Sequence, residues 1–151
     1  MRSTALTRFT CGAAFLWAIG WAYPVHAQIG LGEWVRTDAG GNGMTLTVEA
    51  CCKGGYRLTY HVPIAGGKPP LIMTVNLPLD GTEVPMMMAG KPTGQAMSAK
   101  RVDDRHLTGV VKQNGQISLT NTTTLSADGK TLTVEDKITG GPTVTETWVK
   151  K

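Results

Sequence analysis

The chain has 151 residues, with 15 Lys and Arg against 11 Asp and Glu and a formal net charge of +4. That length suits a single domain. The mild basic excess is spread along the chain without a block of interleaved aromatics, which excludes a nucleic-acid-binding stripe, and sparse helix formers with no 3.6-residue period exclude a helical bundle.

Met1 to Ala27 reads as a secretory signal peptide. Arg2 and Arg8 give a positive start, Phe9 to Tyr23 is apolar, and Val25-His26-Ala27 offers a small-residue cleavage site before Gln28. The apolar run falls short of the roughly 20 residues that span a bilayer. Cys11 precedes the apolar core, so it does not read as a lipidation cysteine. No later stretch is long and apolar enough to span. A secreted or periplasmic protein is expected, with one domain over residues 28–151. Loss of the leader removes Arg2 and Arg8 and leaves a charge of about +2.

The rest of the chain reads as strands. Glu33 to Thr37 is the first, opening with Gly32-Glu33-Trp34, and Ala39 to Gly43 turns the chain. Met44, Leu46, Val48 and Ala50 alternate with polar residues in the second. After Lys53-Gly54-Gly55, Tyr56, Leu58, Tyr60 and Val62 form one face of the third, with Arg57, Thr59 and His61 opposite. Leu71, Met73, Val75 and Leu77 give a fourth. Thr82 to Met88 is a fifth, and Pro85 within it lacks an N–H, so a bulge or an edge is expected there. Ala89 to Gly94 reads as a loop, followed by strands at Gln95 to Val102 and His106 to Lys112.

From Leu107 to Val149 the pattern is clearest. Thr and Val crowd the segment, and apolar residues recur at Ile117 and Leu119, at Leu132 and Val134, and at Val144. Asn114-Gly115 and Asp128-Gly129 tolerate the positive φ of tight hairpins, and Gly140-Gly141-Pro142 makes the next break. About ten short strands with short connections predict an all-β antiparallel up-and-down meander. Such a meander closes most simply as a barrel of about 8–10 strands, which removes exposed edges. Closure pairs the first strand with the last, so Trp34 and Trp148 are expected to form the closed end together.

Gly32-x-Trp34 resembles the opening signature of lipocalin-like barrels. The segments Lys100-Arg101-Val102-Asp103-Asp104 through Lys112-Gln113-Asn114-Gly115 and Ser126 to Val134, and the tail Glu146 to Lys151, are similar to small exported bacterial lipocalin-like proteins of unassigned role. The resemblance covers most of the chain after the leader and is sharpest after Met97. It implies a calycin-type barrel related in form to lipocalins and fatty-acid-binding proteins, and it says little about activity. One departure stands out: Thr37 to Gly43 leaves no room for the helical lid of fatty-acid-binding barrels.

No catalytic set emerges. His61 and His106 sit in strand runs, and Ser98, Ser118 and Ser126 lie in no nucleophile-elbow context, so a non-enzymatic protein is expected. Cys51 and Cys52, His61 and the methionines at 44, 73, 86, 87, 88 and 97 offer soft donors, but their spacing is not that of a closed metal site, and alternating Met is more often core filler. No metal or cofactor is expected. In an oxidising compartment Cys51 and Cys52 favour a vicinal disulfide at the end of the second strand, with two free thiols or an intermolecular bridge as alternatives. Lys100, Arg101, Arg105 and Lys112 cluster with Asp103 and Asp104 and read as a solvated rim.

Two functions compete. One is a binding protein holding a small hydrophobic or amphiphilic ligand inside the barrel. The other is an interaction module, such as an inhibitor of an exported hydrolase, with a filled core and a protruding loop at Ala89 to Gly94. Side-chain parity bears on the first. One interior wall reads as apolar, with Tyr56, Leu58, Tyr60, Met73, Met86 and Met88. The other reads as polar, with Asn121, Asp136 and Glu146. Arg101 shares parity with Met97 and Ala99, so Arg101 or retained water is expected to meet the interior carboxylates, since buried charges need pairing; a bulge that shifts the parity would instead put these carboxylates outside. A pocket with an apolar wall and a few convergent polar groups suits a small amphiphile.

Overall fold

The computed structural model describes residues 30–151, and the leader and its cleavage site lie outside them. Among the described residues the chain forms ten strands and no helix. They are β1 (Gly32–Arg36), β2 (Thr45–Cys51), β3 (Gly55–Val62), β4 (Leu71–Leu77), β5 (Val84–Met88), β6 (Lys91–Arg101), β7 (His106–Gln113), β8 (Gln116–Leu125), β9 (Thr131–Ile138) and β10 (Thr143–Lys150). Each strand pairs antiparallel with its neighbours in the chain, and β10 returns to β1 to close the barrel. The predicted meander and its closure are therefore present.

Tight turns hold the meander in register. Asn114 and Gly115, at φ 51° and 81°, join β7 to β8 in the twist a two-residue hairpin requires. Ala89 and Gly90 do the same between β5 and β6, at φ 47° and 78°. The expected loop over Ala89 to Gly94 is thus a two-residue turn, and β6 already begins at Lys91. Ala is a poor αL residue, so its sequence does not announce the hairpin. The β5–β6 register shifts between Pro85 and Met87, where β6 carries the extra residues opposite Met86. A second irregularity lies between Val111 and Lys112, where β8 carries Ser118 as an extra residue.

Period two sends alternate residues inward. Trp34, Leu46, Val48, Tyr56, Val75, Leu77, Leu132 and Trp148 belong to one buried cluster. Trp34 and Trp148 are 0% and 1% exposed. They stand on the paired strands β1 and β10, where Trp34 lies opposite Lys150 and Arg36 opposite Trp148. Trp34 Nε1 donates to the Gly30 carbonyl at 2.6 Å, tying the incoming chain under the barrel. The Lys150 ammonium lies 5.7 Å from the centroid of the Trp34 ring. Burying each large apolar side chain contributes about 1.5–3 kcal/mol, which makes this end the stability anchor of the barrel.

Candidate functional site

Part of the interior is not filled. A cavity of about 330 Å³ occupies the barrel. That lies near the lower bound of the ~300–1,000 Å³ typical of small-molecule pockets. Eight of the ten interior residues expected from the sequence line it: Tyr56, Leu58, Tyr60, Met73, Met86, Asn121, Asp136 and Glu146. Met44, Leu46 and Met97 extend the apolar wall, and Trp148 joins the two walls. Tyr60 meets Trp148 edge to face, with ring centroids 6.1 Å apart.

Met88 and Arg101 stand apart from the lining. Met88 pairs with Met73 but ends β5, next to the hairpin turn. Arg101 ends β6, and its guanidinium donates to the Tyr56 hydroxyl at 3.1 Å and lies 5.7 Å from that ring's centroid. The cation that meets the interior carboxylates is instead Arg36. Its Nη1 lies 2.7 Å from Glu146 Oε1, and its Nε lies 2.7 Å from Asp38 Oδ1. Arg36 Nη2 donates to Asp38 Oδ2 at 2.9 Å, so the pair is bidentate. Arg36 and Asp38 were the residues that reading by strand faces passed over. For Arg36 the signal is in the sequence, because it alternates with the inward-facing Trp34 on β1; Asp38 lies beyond the strand's end.

The three side chains are largely buried, at 11% exposure for Arg36, 19% for Asp38 and 21% for Glu146. Asp38 also accepts from the Thr147 and Gly40 amides, at 3.1 Å each. It therefore ties the β1–β2 connection to β10. The Arg36 hydrogen bonds hold its carboxyl well below the usual carboxylate range. Burial acts the other way on Glu146 and Asp136, raising both. Arg36 partly offsets the burial of each, and Asp136 further raises Glu146. Trp148 Nε1 donates to Glu146 Oε2 at 3.1 Å.

Asp136 stands directly across the ladder from Asn121, whose side chain hydrogen-bonds to it. Asn121 in turn lies opposite Gly109 on β7, and its carboxamide occupies the space a side chain there would need. Burial raises the Tyr60 hydroxyl far above its ordinary value, and Glu146 and Asp136 add to the shift. One wall thus carries a connected polar group, Arg36, Glu146, Asp136 and Asn121, facing sulfur and aliphatic carbon on the other.

The other sequence-derived candidates lie outside the cavity lining. Cys51 and Cys52 are joined in a vicinal disulfide where β2 ends. His106 Nδ1 pairs with Asp103 at 2.8 Å. In the basic rim, Lys112 pairs with Glu83 at 2.5 Å. Among the described residues no group of three or more His, Cys, Asp or Glu is placed to hold a metal ion, and no helix is long and apolar enough to cross a membrane.

The architecture is compatible with a calycin-like fold, in ten strands without a helix among the described residues. No protein-family model matches the chain, and no curated protein matches it in sequence.

Proposed function

We propose that this is an exported, non-enzymatic, lipocalin-like binding protein that holds a small amphiphilic ligand inside its barrel. The observation that carries the reading is the two-sided cavity. A barrel selected only for stability fills its interior with side chains at crystal-like density. This one keeps about 330 Å³ unfilled and sets partly buried carboxylates beside it. Buried charge costs free energy unless something repays it, and a ligand held against it does so. The alternative of an inhibitor with a filled core and a projecting loop lacks both features, since Ala89 to Gly94 is a tight hairpin.

Trp148 lines the cavity, so its fluorescence reports occupancy. Titration with octanol, a neutral amphiphile of modest size, is expected to give a saturable change. Leu58→Trp fills the cavity and is expected to abolish that change while the protein keeps its sheet spectrum. A folded wild-type protein that gives no saturable response overturns the reading. Export is tested by intact mass: the mature chain is expected to begin at Gln28, and retention of Met1 to Ala27 after secretion would refute it.

A further inference from the structure

The polar wall also carries information about charge. Among the cavity-lining residues the charged ones are Arg36, Asp136 and Glu146. Arg36 is already committed: Nε and Nη2 to Asp38, Nη1 to Glu146. An incoming carboxylate would have to displace a partly buried, charge-assisted pair to reach it. Asp136 is placed differently. Asn121 supplies it with a neutral hydrogen bond, and Arg36 acts on it without a direct ion pair among the described residues. The wall therefore has an excess of carboxylate over cation.

A second, independent feature points the same way. The aromatic rings that border the polar wall are Tyr60 and Trp148, in edge-to-face contact. Their electron-rich faces attract cations and repel anions. Met44, Met73, Met86 and Met97 also line the cavity, Met73 directly beside Tyr60 across the β3–β4 ladder, and their flexible thioethers adapt to an apolar body of variable shape.

Resting on the binding function proposed above, we infer that the ligand is a cationic amphiphile: a protonated amine, seated against Asp136 and beside Tyr60 and Trp148, with its apolar body on the methionine wall. Burial has raised the Asp136 carboxyl, the signature of a carboxylate short of compensating charge, and an ammonium group supplies it. The size of the ligand is bounded as well. An apolar cavity of about 150 Å³ takes benzene, so the present volume suits an alkyl chain of octyl length or a compact ring system.

The test is calorimetric titration of the protein with octylamine, octanol and octanoate, which share a tail and differ in head-group charge. Octylamine is expected to bind at least about tenfold more tightly than octanol, with octanoate weakest. Asp136→Asn, which preserves shape and a hydrogen bond to Asn121, is expected to bring octylamine affinity down to that of octanol for the same variant. If octanol binds and octylamine binds no better, the cation preference is wrong while the binding function stands. Octanoate binding most tightly would also overturn the inference. If none of the three binds, the binding function itself fails. The wild-type order decides the matter even if the variant does not fold.

Discussion

The Asn121 carboxamide lies over the bare Cα of Gly109, its cross-strand neighbour on β7. This pair is why a carboxamide can sit flat on the barrel wall and reach Asp136. A Cβ at position 109 would collide with Asn121 Oδ1 and stand 3.3 Å from the Ser98 carbonyl. Gly109→Ala is therefore expected to destabilise the barrel by roughly 1–3 kcal/mol, the usual cost of overpacking. Asn121→Ala removes the obstruction. In a double-mutant cycle read by urea unfolding, the two changes together should cost clearly less than the separate costs combined. Simple additivity would show that the contact is not what makes position 109 a glycine.

Asp38 and Asp136 give opposite pH dependences. The Asp38 carboxyl is held low by Arg36, so its ionised form favours the fold. That contribution is complete above the ordinary carboxylate value of about 3.9 and is lost as pH falls below it toward Asp38's own lower value. The Asp136 carboxyl is raised by burial, so its ionised form disfavours the fold. That penalty applies above its raised folded-state value, is relieved as pH falls through it, and is gone below the ordinary one. Asp38→Asn should cost about 1 kcal/mol or more at neutral pH, narrowing in acid. Asp136→Asn should stabilise at neutral pH, with the gain vanishing in acid. Unfolding midpoints followed from neutrality into the carboxylate range check both signs, and changes of the same sign at neutral pH would contradict the assignment.

The tryptophan end should dominate stability. Trp34 is fully buried and its indole N–H is satisfied by Gly30. Trp34→Ala is expected to cost about 3–5 kcal/mol, enough to consume much of a small domain's margin. Trp34→Phe loses less area but leaves the Gly30 carbonyl without its donor, so an intermediate loss is expected. Thermal denaturation ranks the three, and a Trp34→Ala midpoint close to wild type would rule out the anchoring role.

The Cys51–Cys52 bridge should add little to global stability. A disulfide stabilises chiefly by closing a loop in the unfolded chain, and these residues are already adjacent. Reduction is expected to move the unfolding free energy by no more than about 0.5 kcal/mol. In a chain beginning at Gln28, thiol titration of denatured, unreduced protein should find no free thiol. Finding two would exclude the bridge.

How far the sequence discloses this arrangement depends on where period two runs unbroken. It does so from Leu119 to Leu125 on β8 and along β9 and β10, so Asn121, Asp136 and Glu146 follow from alternation alone. Ile117 does not follow, because the extra residue at Ser118 breaks the count and leaves Ile117 half exposed on β8. The hairpin at Ala89-Gly90 is hidden because tertiary pairing imposes αL on an alanine that local preference would keep out of it. Arg36 was legible by parity with Trp34. Its partner Asp38 was not, because it lies past the end of β1, in a connection whose shape depends on contacts with Thr147, distant in sequence.

Every ladder in the barrel but one joins strands adjacent in the chain. The exception, β1 with β10, brings together residues such as Arg36 and Trp148 from opposite ends of the domain. Neighbouring hairpins can form early at low loop-closure cost, whereas that last ladder must gather nearly the whole chain first. The Arg36–Glu146 pair spans the same seam. The Arg36–Glu146 pair of the polar wall therefore forms only when that seam closes, so a nascent or truncated chain that lacks β10 has the methionine wall and the Asn121–Asp136 pair without the ion pair that completes the polar side.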